Sequence, residues 1–190
     1  MIRYLITDGT SSNDSARWLD HLAFWLREGV DVIQIRERDL SARDLAALTR
    51  RVLALPERGT TTITTKITTK ILVNDRADVA IACGADGVHL RDGSVNPGKF
   101  RRPDLLISAS CHNPEDAARF AEADYVLLAP IFNPLSKTGT GQALGTEAIR
   151  EFTRRSSVPV LALGGITDQT AAACLEAGAA GLAGITFYTR

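Results

Sequence analysis

Residues 70–90 read KILVNDRADVAIACGADGVHL, and their reading decides the fold. Ile71-Leu72-Val73 is a short apolar run, β-branched at both ends, as suits a strand buried on both faces. Asn74-Asp75-Arg76 follows at once and predicts a cap for a helix from about Ala77 to Cys83. Gly84 ends that helix, and Gly87-Val88-His89-Leu90 starts the next strand. In parallel barrels and open sheets, ligands sit at the tips of strands. Asn74 and Asp75 occupy such a tip. Their amide and carboxylate suit a metal ion or a polar substrate.

The same rhythm runs outward in both directions. Residues 3–8 predict a first strand, followed by a helix capped at Asp14 or Ser15 and reaching about Glu28. Trp18, Leu22, Trp25 and Leu26 recur there at helical spacing, as packing residues do. Val32 to Arg36 is a second strand, and Ser41 caps a helix with a stripe of Leu45, Leu48 and Leu53. Downstream, Leu105 to Ser110, Tyr125 to Leu128, Val158 to Leu163 and Gly181 to Ile185 predict the fifth to eighth strands. Helices capped by Asn113 and Thr146, and one from about Asp168 to Ala177, lie between them. Residues 91–103 read as irregular. GTTTITTKITTK at 59–70 repeats ITTK, and its Thr and Ile favour extended structure without evident chemistry. Strand and helix thus alternate about eight times, which predicts an α/β fold, a compact (β/α)8 barrel forming one domain over 1–190. The last helix of such a barrel is missing from the pattern, and a dimer partner or a crossing terminus would then pack on that side. A doubly wound sheet is the alternative, but no G-x-G-x-x-G turn follows the first strand.

Composition narrows the function. With 22 Lys and Arg against 22 Asp and Glu, the net charge is zero, so no basic footprint for nucleic acid or anionic membrane exists. No apolar run reaches membrane-spanning length. Three widely spaced cysteines, Cys83, Cys111 and Cys174, point to a reducing cytoplasm rather than to disulfides or zinc.

The candidate site collects at the strand ends: Asp8, Gln34, Arg36, Arg38, Asn74, Asp75, His89, Ser110, His112, Ser136, Lys137, Gly164, Gly165 and Thr186. Arg36 and Arg38 suit a multiply charged anion, because guanidinium forks match phosphate oxygens. A surface charge cluster is the competing reading. The loop Asn133 to Gly141 is rich in hydroxyls and glycine around Lys137. Gly164-Gly165 and Thr186 follow strands seven and eight, a common phosphate site in barrels, although a plain helix-entry turn reads the same way. His89 reads first as a core-lining histidine. His112 could shuttle protons or simply stand at a helix start. Cys111 reads as a small core residue.

YLITD (4–8), QIRER (34–38), NDRADVAIACGADGVHL (74–90), SCH (110–112), ADYVLLAPIF (123–132), the Ser136-Lys137 pair and LALGGIT (161–167) together resemble the thiamine-phosphate synthase family and the related thiazole tautomerases. The resemblance covers nearly the whole chain. It implies a barrel that couples hydroxymethylpyrimidine diphosphate to thiazole phosphate with release of pyrophosphate. It also implies magnesium on the leaving group. On this resemblance Gln34, Arg36 and Asn74 hold the pyrimidine diphosphate, Arg38 is a further substrate-binding residue, and Asp75 holds the metal. Ser110 and Lys137 bind the pyrophosphate end, while Ser136, Gly165 and the amides near Thr186 hold the thiazole phosphate.

The chain departs from the family pattern in places. Arg38 replaces a lysine, which keeps charge but changes geometry. Ser94 falls where a second metal-binding aspartate is usual, so Asp92, two residues earlier, becomes the candidate. Pro134 replaces a hydroxyl. RER and a Gly-Ser after strand four resemble the tautomerase branch, which needs no metal and uses a histidine at the position of His112. Gln34, Asp75 and Pro130 fit the synthase better. A barrel that binds thiamine precursors without catalysis is the remaining alternative.

Overall fold

The computed structural model describes residues 1–11, 14–59, 68–133 and 143–185. Eight parallel strands pair in chain order and close, β8 against β1, into one barrel. The strands are β1 (Ile2–Ile6), β2 (Val32–Ile35), β3 (Lys70–Asn74), β4 (Gly87–Leu90), β5 (Leu106–Cys111), β6 (Tyr125–Leu128), β7 (Val160–Ala162) and β8 (Gly181–Gly184). The α-helices are α1 (Ser15–Arg27), α2 (Ala42–Leu53), α3 (Ala77–Cys83), α4 (Gly145–Arg155) and α5 (Asp168–Glu176). The expected (β/α)8 architecture is therefore the observed one. Among the described residues, no helix is long and apolar enough to cross a membrane.

Alternation along the strands sorts the core into an inner and an outer layer. Tyr4, Ile6, Val32, Leu72, Leu127, Leu161 and Ala183 form one cluster inside the barrel. Leu5, Ile33, Ile35, Ile71 and Val73 pack outward against α1, α2 and α3 with Trp18, Leu22, Trp25, Leu45 and Leu48. Both tryptophans are thus packing residues, as their spacing predicts. At the foot of the barrel, Asp31, Asp86 and Asp124 each immediately precede an even-numbered strand. Their carboxylates accept the backbone N–H of Arg3 (2.7 Å), Ile71 (2.8 Å) and Ile107 (2.8 Å) on the preceding odd strand. The foot is fastened by charge-assisted bonds, and the opposite end is left for loops.

Several local expectations need correction. Asn74-Asp75-Arg76 does not cap α3 through a side chain; Arg76 stands at the cap position without such a bond. Asp75 takes φ +56°, and its carboxylate is engaged elsewhere. Thr146 does not cap α4, which follows Leu144 and begins at Gly145. Asn113 does cap a helix, accepting from the Glu115 N–H, but residues Pro114–Phe120 form a 3-10 helix. Asp14 and Ser41 cap α1 and α2 as expected. Most of the ITTK repeat, residues 60–67, lies outside the described residues.

Candidate active site

The mouth of the barrel has a buried tier and a charged rim. The buried tier is a chain of hydrogen bonds crossing the interior. Gln34 on β2 donates through Nε2 to Asn74 Oδ1 on β3 (2.8 Å). Tyr4 on β1 donates its hydroxyl to Gln34 Oε1 (3.2 Å) and meets Ser108 Oγ on β5, across the barrel, at 2.8 Å. His89 on β4 joins Ser108 Oγ through Nδ1 (2.8 Å) and Ser110 Oγ through Nε2 (3.0 Å). Tyr4, Gln34, Ser108 and His89 are buried, while Asn74 and Ser110 at the two ends are half-buried. Burial pushes the Tyr4 phenol well above its ordinary range. Burial also drives His89 down to about 3, so its imidazole is neutral near pH 7. Every member has a partner, which is what a buried polar chain requires. His89 is thus core-lining, as its sequence context suggests, but it is also the hinge of this chain.

The rim carries charge. Arg36 follows β2 and is half-buried. Burial first, then the neighbouring Arg38 charge, lower its guanidinium from the ordinary arginine value; Glu37 works the other way. No carboxylate pairs with Arg36 or Arg38 among the described residues. A desolvated, unpaired guanidinium that stays charged calls for an anion. Glu37 between them is buried and faces the other way. Its carboxylate accepts from Thr7 Oγ1 (2.6 Å), Gly9 N–H (3.2 Å), and Ser11 N–H and Oγ (3.0 and 2.6 Å). Thr7 Oγ1 in turn accepts the Arg36 N–H (2.8 Å). Glu37 therefore ties the β1–α1 loop to the arginine strand tip.

Asp75 sits beside this cluster. Its Oδ2 accepts from Arg91 Nε (2.5 Å) and its Oδ1 from Ser94 Oγ (2.6 Å). Arg38, Asn74, Asp75, Arg76 and Arg91 line a cleft of about 340 Å³. Asp92 Oδ1 accepts the N–H of Gly93 within its own turn (3.0 Å), and Asp92 lines a small cleft with Ser94 and Ser110. No cluster of three potential metal ligands from His, Cys, Asp or Glu occurs among the described residues. A hard cation takes oxygen ligands, and Asp75 supplies one such carboxylate at this rim.

His112 is exposed beyond β5. Its Nδ1 lies 2.6 Å from the Ala129 carbonyl, which can only accept, so Nδ1 carries a proton. Cys111 is buried, its thiol pushed up to about 11, and is no nucleophile. Gly164 and Gly165 have φ +93° and +63°. A Cβ on either would strike the loop after β6, 2.9 Å from Pro130 or 2.6 Å from the Asn133 carbonyl. Ile131 and Phe132 N–H bind the Leu163 and Gly164 carbonyls (2.8 and 3.0 Å). The glycine pair thus welds the ends of β6 and β7 together. Ser136, Lys137 and Thr186 lie outside the described residues. A second cleft, of about 370 Å³, lies between β1 and α1, lined by Asp8, Thr10, Arg17 and His21 among others.

So Gln34, Arg36, Arg38, Asn74, Asp75 and Ser110 converge on one mouth, and Asp92 lines a small cleft with Ser110 beside it. Sequence reasoning missed Tyr4, Ser108, Glu37 and Arg91. Period-two alternation was the available signal for the first two, since Ser108 shares a strand face with Ser110.

Comparison with known proteins agrees with this barrel. The profile of the thiamine monophosphate synthase family matches residues 3–187. The chain is 39% identical over 188 residues to the thiamine-phosphate synthase of Methanoculleus marisnigri, covering 96% of this chain and 85% of that one. It is 36% identical over 190 residues to that of Roseiflexus sp. (strain RS-1), covering 97% and 77%. In structure it is similar to thiamine phosphate pyrophosphorylase from Pyrococcus furiosus, with TM-score 0.78, 27% identity and coverage of 97% and 85%. The chain belongs to the thiamine monophosphate synthase family.

Proposed function

We propose that this chain is a thiamine-phosphate synthase. It joins hydroxymethylpyrimidine diphosphate to thiazole phosphate and releases pyrophosphate. One observation carries the reading: the half-buried Arg36, with no carboxylate partner among the described residues, stands beside the interior amides of Gln34 and Asn74. Such a mouth binds a polar ring at the amides and a diphosphate at the arginines.

The chemistry follows from charge placement. Departure of pyrophosphate leaves a pyrimidine carbocation, which the thiazole nitrogen captures. Arg36 and Arg38 stabilise the charge that develops on the leaving group, an effect that matters most where water is excluded. Gln34 and Asn74 hold the ring so that the bond-forming carbon faces the second substrate. Asp75, paired here with Arg91 and Ser94, would hold magnesium, and the bound ion would further neutralise the leaving group. Ser136, Lys137, Gly165 and Thr186 belong to the phosphate-binding side of the proposal. Unpaired cysteines agree with a cytoplasmic enzyme.

The test is product formation from the two purified substrates, with Asp75→Ala as control. Magnesium-dependent thiamine phosphate, lost in Asp75→Ala, is the expected result. Full activity in that variant would sink the metal assignment.

A second reading rests on His112. It is exposed beyond β5, and its Nδ1 donates to the Ala129 carbonyl, which orients the ring for proton transfer through Nε2. Isomerisation without coupling, abolished by His112→Ala, would replace the synthase reading with a thiazole tautomerase.

A further inference from the structure

Arg36, Glu37 and Arg38 are three consecutive charges, plus, minus, plus, and each arginine has a carboxylate for its chain neighbour. β2 ends at Ile35, so ladder pairing no longer dictates to which side these three side chains point. They are nevertheless kept apart. Glu37 is buried, and neither of its oxygens pairs with an arginine among the described residues. Oε1 accepts from Thr7 Oγ1 (2.6 Å) and the Gly9 N–H (3.2 Å), and Oε2 from the Ser11 N–H (3.0 Å) and Oγ (2.6 Å). Thr7 and Ser11 are buried as well. A buried carboxylate needs such donors, and these four use its lone pairs. The same loop reaches Arg36 itself. Thr7 gives its proton to Glu37 and so accepts the Arg36 N–H (2.8 Å).

We infer that Thr7, Gly9 and Ser11 form a clasp that sequesters the Glu37 carboxylate and thereby keeps Arg36 and Arg38 free for an anionic ligand. Thr7 and Ser11 are positioning residues: they act on the ligand through Glu37 and the arginines. The inference rests on the reading of Arg36 as the anion site and extends that site to the β1–α1 loop. Arg36 and Glu37 lie within electrostatic reach of each other. Burial and Arg38 lower the Arg36 guanidinium, and the Glu37 charge acts on it in the opposite sense. A loosened Glu37 would pair with the arginines and compete with the ligand for their N–H groups. The clasp removes that competitor without removing its charge.

The test titrates the whole chain with inorganic pyrophosphate in a calorimeter, with urea unfolding measured alongside. Ser11→Ala leaves Oε2 with a single donor and should weaken pyrophosphate by about two- to fivefold, the worth of a competing, partly exposed ion pair. Glu37→Gln turns an amide toward the loop donors, so it should lower the urea midpoint further. It should still bind pyrophosphate at least as tightly as wild type, because no carboxylate competes. Combining Ser11→Ala with Glu37→Gln should restore the affinity that Ser11→Ala loses. A clasp that only braced the loop would make affinity follow stability, and the double variant would then bind most weakly; that order would overturn the inference. So would unchanged affinity in Ser11→Ala. If Glu37→Gln does not fold, 15N-arginine spectra of Ser11→Ala decide. The Arg36 Nε–H, identified by its loss in Arg36→Lys, should exchange with water more slowly once paired with Glu37, and unchanged exchange would reject the clasp. Arg36→Ala separates the two levels of the argument. Wild-type pyrophosphate affinity in Arg36→Ala would remove the anion site and the clasp with it. Weak binding there beside normal binding in Ser11→Ala would remove the clasp alone.

Discussion

The two tiers of the mouth are built on opposite rules. The interior tier, from Asn74 to Ser110, is neutral and buried except at its two half-buried ends, and each member has a partner within the protein. The rim, with Arg36, Arg38, Asp75 and Arg91, is charged, and its pairings are exchangeable: Arg91 is 68% exposed where it meets Asp75. Low dielectric makes the inner bonds costly to break and geometrically exact in direction. Water at the rim makes its ion pairs weak and easy to replace by a ligand. The interior positions, and the rim supplies charge.

The largest expected effect is at the rim. Arg36→Ala should lower kcat/KM by about 10²–10³-fold, the loss typical of removing one donor aimed at developing negative charge. Arg36 adds little to the core, so the variant should melt near wild type. A kcat/KM within a few-fold of wild type would move the anion site elsewhere.

The interior should show the reverse pattern, with stability affected first. Tyr4→Phe leaves the Gln34 carbonyl without a donor and the Ser108 hydroxyl without its acceptor. Each buried group left unpaired costs about 1–3 kcal/mol. A drop of that size in urea unfolding checks the point, and an unchanged midpoint would mean that the chain relaxes around the loss.

Acid should act on the interior before the rim. His89 is held near 3 in the folded chain against 6.5 in the open one. Its neutral form is therefore favoured by folding above pH 6.5, and that stability is lost as pH falls from 6.5 toward 3. At pH 5 the loss amounts to about 2 kcal/mol, from one extra proton bound by the unfolded state. Comparing urea midpoints at pH 7 and pH 5, this component should vanish in His89→Gln.

The smallest effect is expected at Arg91. Arg91→Ala removes an exposed partner of Asp75 and should cost less than about 1 kcal/mol. Freed of that cation, Asp75 should bind magnesium more tightly, lowering the half-saturating concentration by at most about fivefold. A rise in that concentration would mean that Arg91 helps to hold the diphosphate instead.

Much of this was legible in the sequence because barrel strands write their own pattern. KILVN and GVHL are short and apolar, bounded by turn residues, and they appear as β3 and β4. QIRER places Gln34 inside and the arginines on the rim. What stayed hidden were partners distant in sequence. Tyr4 and Ser108 are 104 residues apart and meet only because strands one and five face each other across a closed barrel. Glu37 reads as the middle of a charge cluster, yet its side chain turns inward to hold Thr7, Gly9 and Ser11. Asp75 reads as a helix cap because Asn-Asp before a helix usually is one. Its left-handed backbone and the pull of Arg91 and Ser94 override that local preference.

The most direct test is the formation of thiamine phosphate from hydroxymethylpyrimidine diphosphate and thiazole phosphate, measured with and without magnesium. The expected result is magnesium-dependent product that falls sharply in Arg36→Ala. No coupling by the folded wild-type chain, with thiazole phosphate still bound, would contradict the synthase reading and leave proton transfer at His112 as the chemistry of this mouth.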